Sequence, residues 1–360
     1  MSVNFISAQD ALARMAMNLG TAGGFSTIID ARSEDEYTLD HLPNAVNWPS
    51  LNNEERIFVG TMYKQVGAFE AQKHGAALVA ANIARHIQRE VLALPKNWQP
   101  LIYCWRGGKR SGSLSMVLGQ IGFKVNLIEG GYKAFRAAMV EDIPQRVAPL
   151  QFKVISGPTG SGKTRLLYAL AAEGAQVLDL EELACHRSSV LGHIPGRPQP
   201  SQKRFDTLVW QALRSFDPTR AVFVESESRK VGNLSIPESL MLAMRESPCF
   251  ELQLSLEERV ALLMEDYKFF VDDQDAFCSR LDALVAIRGK VTVDAWKMQV
   301  ASGHIESVVR DLLVLHYDPT YASSMVRNFT QTGQATACLA QDRHPDSLRK
   351  LAKLLVKNQS

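Results

Sequence analysis

The sequence predicts an α/β fold in two parts. A small parallel α/β domain covers residues 1–146, and a second α/β domain built on a phosphate-binding loop covers residues 147–360 and ends in helices. Three observations predict this. Apolar runs of strand length alternate with helical apolar spacing in both halves. Residues 101–121, LIYCWRGGKRSGSLSMVLGQI, run from a buried strand through a cysteine and a glycine-rich basic loop into a helix. Residues 152–164, FKVISGPTGSGKT, set a strand before a G-x4-G-K-T loop, and helix 165–172 follows. A chain of 360 residues is also too long for one ordinary core.

The elements follow in order. Residues 7–17 carry helical apolar spacing, with Ser7 as N-cap. Residues 25–30 make a strand ending at Asp30, and the polar stretch ARSEDEYTLDHLPNAVNWPSL after it holds the turn formers Pro43, Asn44 and Pro49. A long helical pattern fills 68–94, and Pro95 ends it. The strand 101–103 ends at Cys104, and Ser111 opens a helix with Leu114, Val117, Leu118 and Ile121 on one face. Strand 124–128 closes at Gly130-Gly131, helix 134–140 follows, and the first domain ends near 144–149. In the second domain, strands 152–156, 176–180, 220–225 and 249–254 are separated by helices that include 201–213. Ser255 caps a further helix. From Phe269 onward the pattern is helical, interrupted by the polar-aromatic turn HYDPTY at 316–321, whose aromatics either cap a core or stack on a base. The last residues, RHPDSLRKLAKLLVKNQS, form a basic amphipathic helix, either solvated or a phosphate-backbone contact.

Composition excludes several classes. Hydrophobic content of 46% and charged content of 22% fit a soluble globular protein. A net charge of +2 means that any nucleic-acid contact comes from a local basic surface. The five cysteines are scattered and form no CxxC pair, which argues against a disulfide framework or a structural zinc site. No apolar run is long enough for a bilayer and no signal pattern opens the chain, so a cytoplasmic monomer without membrane contact is expected.

The chemistry concentrates in two loops. Around Cys104, the basic residues Arg106, Lys109 and Arg110, the backbone N–H groups and a helix N-terminus make an anion cradle around a thiol. The same field favours the nucleophilic thiolate. In the second loop, Gly157, Thr159, Gly160, Ser161 and Gly162 let the backbone wrap phosphate oxygens. Lys163 adds charge there, and Thr164 reaches a metal or a phosphate. His186, Arg187 and Ser188 lie just beyond a sheet strand, where open α/β sheets bind ligands. Glu225, Glu227 and Arg229 alternate where the strand 220–225 emerges. Glu225 would hold a metal-bound water or act as a base, or the group is a structural ion-pair network. Magnesium fits Thr164 and Glu225, but a diphosphate can be held without it, so no metal or cofactor is assigned with certainty.

The segment DAR…HLPNAVNWP followed by the cysteine loop resembles the rhodanese fold, through Asp30, Arg32, His41, Pro43, Ala45 and Cys104. The resemblance implies that Cys104 carries a sulfur atom as a persulfide. Common single-domain sulfurtransferases place an arginine five residues after the cysteine, whereas Arg110 lies six after Cys104, a spacing shared with cysteine phosphatases. A rhodanese-like phosphatase or thiosulfate sulfurtransferase regulated by a phosphate-binding domain is therefore the alternative function. A noncatalytic, nucleotide-gated RNA-binding module is a third. His41, among turn formers, reads as a structural residue and not a base.

Taken together, CWRGGKRSGS, GPTGSGKT, HRSSVLG, VESESRKVG and HYDPTY, in that order, resemble the tRNA 2-selenouridine synthase family over nearly the whole chain. The resemblance implies a transferase acting on 2-thiouridine at wobble position 34 in the tRNA anticodon loop. It implies S-geranylation by geranyl diphosphate, then replacement of the geranylated sulfur by selenium from selenophosphate. Lys163 and its loop would hold the leaving diphosphate, and Cys104 with Arg106, Lys109 and Arg110 would receive selenophosphate.

Overall fold

The computed structural model describes residues 3–15, 23–187, 189, 192–329 and 331–357. Ser188, Val190 and Leu191 of the HRSSVLG segment, and Ala16 and Met17 of the first helix, lie outside the described residues. The chain forms two compact units, residues 1–143 with 201–214, and residues 144–200 with 215–360.

The first unit is a five-stranded parallel sheet of β1 (Val3–Ile6), β2 (Thr27–Asp30), β3 (Ala45–Asn47), β4 (Pro100–Tyr103) and β5 (Val125–Ile128), in the order β1-β5-β4-β2-β3. Every residue of β4 is buried, as expected for a central parallel strand written as an apolar run. Sequence periodicity misses β1 and β3 because both are short edge strands. It also misses the helix Asn53–Gln65, which buries none of its residues and so has no apolar stripe to read. That helix is set by its start: Asn52 Oδ1 accepts the Glu55 N–H at 2.8 Å, and the Glu55 carboxylate accepts the Asn52 N–H at 3.0 Å. The pattern over 68–94 becomes the helix Ala68–His86 and a wider turn over Ile87–Val91.

The helix Gln202–Ser215, downstream of the boundary drawn at residue 146, groups with this first unit up to Arg214. Its apolar face places Phe205, Val209 and Trp210 out of solvent. Trp210 Nε1 donates to Asp142 at 2.8 Å, and the Trp210 ring meets Phe135 edge-on at 5.8 Å.

The second unit is also a five-stranded parallel sheet. It holds β6 (Phe152–Ser156), β7 (Gln176–Leu178), β8 (Val222–Glu225), then after a short antiparallel hairpin, β9 (Lys230–Val231) and β10 (Leu234–Ser235), the strands β11 (Cys249–Gln253) and β12 (Thr336–Leu339). The sheet order is β12-β11-β6-β8-β7. Helices between residues 256 and 328 bury Phe270, Phe277, Trp296 and Leu312 in their own cluster. The C-terminal helix Pro345–Lys357 buries Leu348, Ala352 and Leu355 against Leu166, Leu167 and Leu170 of the helix Lys163–Ala172, leaving Lys350, Lys353 and Lys357 exposed. No helix among the described residues is long and apolar enough to cross a membrane.

Candidate functional site

In the first unit, β4 delivers Cys104 to the carboxyl end of the sheet, and the helix Lys109–Ile121 starts five residues later. Cys104 is buried, and the Ser111 hydroxyl donates to its sulfur at 3.0 Å. The loop is shaped from outside its own sequence. Tyr132 N–H donates to the Cys104 carbonyl at 2.8 Å, and Lys133 N–H to the Trp105 carbonyl at 3.1 Å. Gly131, with φ of +59°, makes that approach: a Cβ there would sit 2.3 Å from the Cys104 carbonyl oxygen. Arg106 and Lys109 are exposed. Arg110 is committed elsewhere, its guanidinium meeting the Glu36 carboxylate at 2.6 and 3.4 Å. Burial pushes the Glu36 carboxyl up, but Arg110 and the Ser33 N–H outweigh it and hold it below its usual range.

Behind the loop lies a buried polar network. Arg32 bonds Asp30 at 2.6 Å and the Asp40 carbonyl at 2.6 Å, and its guanidinium stacks 4.1 Å from the Tyr132 ring centre. Tyr103 donates to Asp30 at 2.8 Å, and Tyr132 and Thr207 donate to Asp40 at 2.7 and 3.0 Å. The DAR segment is therefore scaffolding. His41 is scaffolding too: Nδ1 bonds the Tyr37 carbonyl at 2.9 Å, the two rings stack at 3.9 Å, and burial lowers its basicity.

In the second unit, the loop after β6 turns through Gly157, Gly160 and Gly162, all at positive φ. A Cβ at Gly157 would lie 2.6 Å from the Leu252 carbonyl oxygen, so only glycine fits there. Lys163 Nζ folds back to the Gly157 carbonyl at 2.9 Å, and Ser161 is fully buried. The loop opens on a cavity of about 660 Å³ lined by Thr159, Gly160, Gly162, Lys163, Thr164, His186, Arg187, Glu225 and Glu227. Residues read from separate stretches of sequence thus share one space. Arg229 does not line this cavity and is exposed beyond the strand end. His186 pairs its backbone with His193, and burial lowers its basicity. Arg187 donates to the Asp266 carbonyl at 3.0 Å and lies 4.6 Å over the Tyr267 ring.

Three carboxylates gather beside the loop: Glu181, Glu225 and Glu227 present oxygens within 4.8 Å of one another. Glu225 is 3% exposed, and its Oε1 has no hydrogen-bond partner among the described residues. Burial, with the Glu181 charge adding to it, pushes its carboxyl up to about 8. Thr164 Oγ1 lies 3.5 Å from Glu181. This donor set of hard oxygens fits a divalent cation such as magnesium.

Sequence reasoning did not single out Glu181, Arg259 or the roles within HYDPTY. Arg259, almost fully buried, bonds the Thr159 carbonyl at 2.9 and 2.8 Å and Asp318 at 3.0 and 2.6 Å. The Gly157 N–H donates to the Tyr321 hydroxyl at 2.6 Å. His316 is buried in the core, and Arg288 donates to its Nδ1 at 3.1 Å. The motif's run of polar and aromatic residues was the available signal, but its partners lie about thirty to one hundred and sixty residues away.

A second, apolar pocket adjoins the cavity. Met264, Phe270, Phe277, Val309 and Leu313 line it, and Thr159, Ser189, Leu263, Tyr267 and Tyr317 line both spaces.

A model of the rhodanese-like domain matches residues 8–138, and a model described as the tRNA 2-selenouridine synthase AAA domain matches residues 150–289. The chain is 38% identical to the tRNA 2-selenouridine synthase of Nitrosomonas europaea over 67% of its length, a stretch that spans 63% of that relative. It is 31% identical to the tRNA 2-selenouridine synthase of Marinobacter nauticus over 82% of its length and 87% of the relative. The enzyme of that name from Alcanivorax borkumensis is likewise 31% identical, over 82% of this chain and 88% of its own.

Proposed function

This chain belongs to the tRNA 2-selenouridine synthase family, a family of tRNA-modifying transferases, and we propose that it converts 2-thiouridine at wobble position 34 of tRNA into 2-selenouridine in two steps. In the first, the thiocarbonyl sulfur attacks C1 of geranyl diphosphate. A C–S bond forms, the C1–O bond breaks, and its electron pair leaves on diphosphate. In the second, the selenium of selenophosphate adds at C2 of the base, the C2–S bond breaks with geranyl thiol leaving, and water then cleaves the Se–P bond to release phosphate and 2-selenouridine. Alkylation is what makes the second step practicable, because a thiolate leaves far more readily than a thiocarbonyl sulfur.

One observation carries the first step. The cavity at the phosphate loop and the apolar pocket share Thr159, Leu263, Tyr267 and Tyr317, so a polar and an apolar compartment meet within one unit. A nucleotide needs only the first. A prenyl diphosphate needs both, with part of its tail entering the apolar pocket of about 50 Å³ against Leu263, Phe270 and Leu313. Lys163 and the loop N–H groups hold the diphosphate and stabilise the charge it acquires as it departs. Glu181, Glu225 and Glu227 would hold magnesium, which supplies charge neutralisation to the leaving diphosphate.

The second step is assigned to the first unit. Ser111 orients the Cys104 sulfur, while Arg106 and Lys109 offer exposed positive charge to selenophosphate. Arg110 acts through Glu36, fixing the loop to the neighbouring helix.

The test of the amphiphile reading is calorimetry with an unreactive geranyl thiolodiphosphate and with inorganic diphosphate. Wild type is expected to bind the geranyl compound at least about tenfold more tightly, the order expected from burying a few methylenes. Leu313→Trp, which fills the pocket, is expected to remove that advantage and leave diphosphate binding unchanged. Equal affinities in wild type would remove the basis for a prenyl substrate.

A further inference from the structure

We propose that Tyr321 touches the substrate: its hydroxyl donates a hydrogen bond to the diphosphate held in the loop and strengthens that bond as the group leaves. The inference rests on the diphosphate reading above and adds a residue far outside the loop motif.

Three observations converge on it. The Tyr321 oxygen accepts the Gly157 N–H at 2.6 Å, so the phenol already occupies an acceptor position on the loop's own backbone. A phenol that accepts one bond still has its own proton to give, and no acceptor for that proton is found among the described residues. Tyr321 also lines the cavity that holds Lys163 and Thr164, and the Lys163 ammonium lies 6.0 Å from its ring centre. An oxyanion entering the loop would draw Lys163 away from the Gly157 carbonyl and meet the phenol proton at the same place.

The placement of Tyr321 is built. One turn earlier on the same helix, Asp318 holds the buried Arg259, whose guanidinium grips the Thr159 carbonyl. The helix Asp318–Asn328 is thus tied to the loop at two points, Gly157 and Thr159. Fixing a donor before the charge appears is what makes it useful to a transition state, since no reorganisation is needed at the moment of bond breaking. No bond to Tyr321 is made or broken. The electron pair of the C1–O bond passes to the diphosphate oxygen, and the phenol keeps its proton while its hydrogen bond to the more negative group shortens.

The test compares wild type, Tyr321→Phe and Tyr321→His in two assays: calorimetric binding of inorganic diphosphate, and S-geranylation of tRNA bearing 2-thiouridine. Tyr321→Phe keeps the ring and removes only the hydroxyl. It is expected to bind diphosphate about tenfold more weakly and to lose about tenfold or more in kcat, as for a hydrogen bond to a charged group. The KM for tRNA is expected to stay at its wild-type value, and the ligand-free melting temperature to fall by only a few degrees, as for the loss of the one hydrogen bond from the Gly157 N–H. Tyr321→His, which retains a ring N–H, is expected to regain part of the diphosphate affinity. Wild-type affinity and kcat in Tyr321→Phe would overturn the proposal, as would equal losses in Phe and His, because a retained N–H donor would then restore nothing. If wild type binds diphosphate yet forms no S-geranyl nucleoside, the geranylation reading falls, and the diphosphate comparison still decides the role of Tyr321.

Discussion

The cysteine loop and the phosphate loop are built alike and finished differently. Each follows a central parallel strand, turns through glycines and opens a helix at the carboxyl end of its sheet. Around Cys104 the surroundings are closed: Arg110 is paired with Glu36, Gly131 presses on the loop backbone, and a buried network of Asp30, Arg32 and Tyr103 lies behind. Around Lys163 they are open, with a cavity of about 660 Å³, a lysine resting on the Gly157 and Pro158 carbonyls and three clustered carboxylates. A small tetrahedral anion and a nucleophilic sulfur need only the first kind of site. A large amphiphile with a charged leaving group needs the second.

That contrast can be broken in several places. The largest effect is expected from Lys163→Ala, which removes the phosphate loop's own positive charge. Geranylation should fall about 10²- to 10³-fold, the usual loss for one transition-state donor, while selenation of tRNA already carrying S-geranyl-2-thiouridine continues. Gly131→Ala should follow. Its Cβ would collide with the Cys104 carbonyl at a left-handed φ, costing about 1–3 kcal/mol and lowering selenation, with geranylation unchanged. Thermal melting and single-step nucleoside assays check both.

Two smaller effects are read from pH. The Glu225 carboxyl is raised to about 8, so the folded second unit holds its proton more tightly than the unfolded chain does. Its contribution to stability is complete below the ordinary glutamate value of about 4.3 and is lost as pH rises through about 8. Melting temperature should therefore fall across that window, Glu225→Gln should flatten the fall, and magnesium should stabilise wild type more at pH 8.5 than at pH 6. Glu36 runs the opposite way. Its carboxyl is held low, so its contribution is present above about 4.3 and is lost as pH falls through the lowered value. Glu36→Gln should soften acid unfolding of the first unit slightly, because the Arg110 pair is partly exposed to solvent.

The legible parts of the sequence were those written contiguously. β4, Cys104 and its helix, or β6, the glycine loop and Lys163, each occupy a single stretch in which periodicity and spacing state the geometry. Edge strands such as β3 are too short to show a period, and the helix Asn53–Gln65 has no apolar face to reveal it. The partners that finish the sites were hidden for another reason. Gly131 reaches Cys104, Asp318 reaches Thr159 through Arg259, and Tyr321 reaches Gly157 only after the chain has folded. The helix Gln202–Ser215 is the same lesson at larger scale. Its amphipathic pattern predicts a buried face, but only packing of Trp210 on Phe135 and Asp142 decides which core receives it.

The most direct measurement of the central claim is nucleoside mass spectrometry on tRNA containing 2-thiouridine, with geranyl diphosphate and selenophosphate supplied separately and together. Wild type should form the S-geranyl nucleoside with the first alone and 2-selenouridine with both. Cys104→Ala should accumulate the S-geranyl nucleoside, and Lys163→Ala should leave 2-thiouridine untouched. Wild type that alters no nucleoside, while its Cys104 cleaves a small phosphoester, would contradict the account and make the loop with Arg110 a phosphatase site.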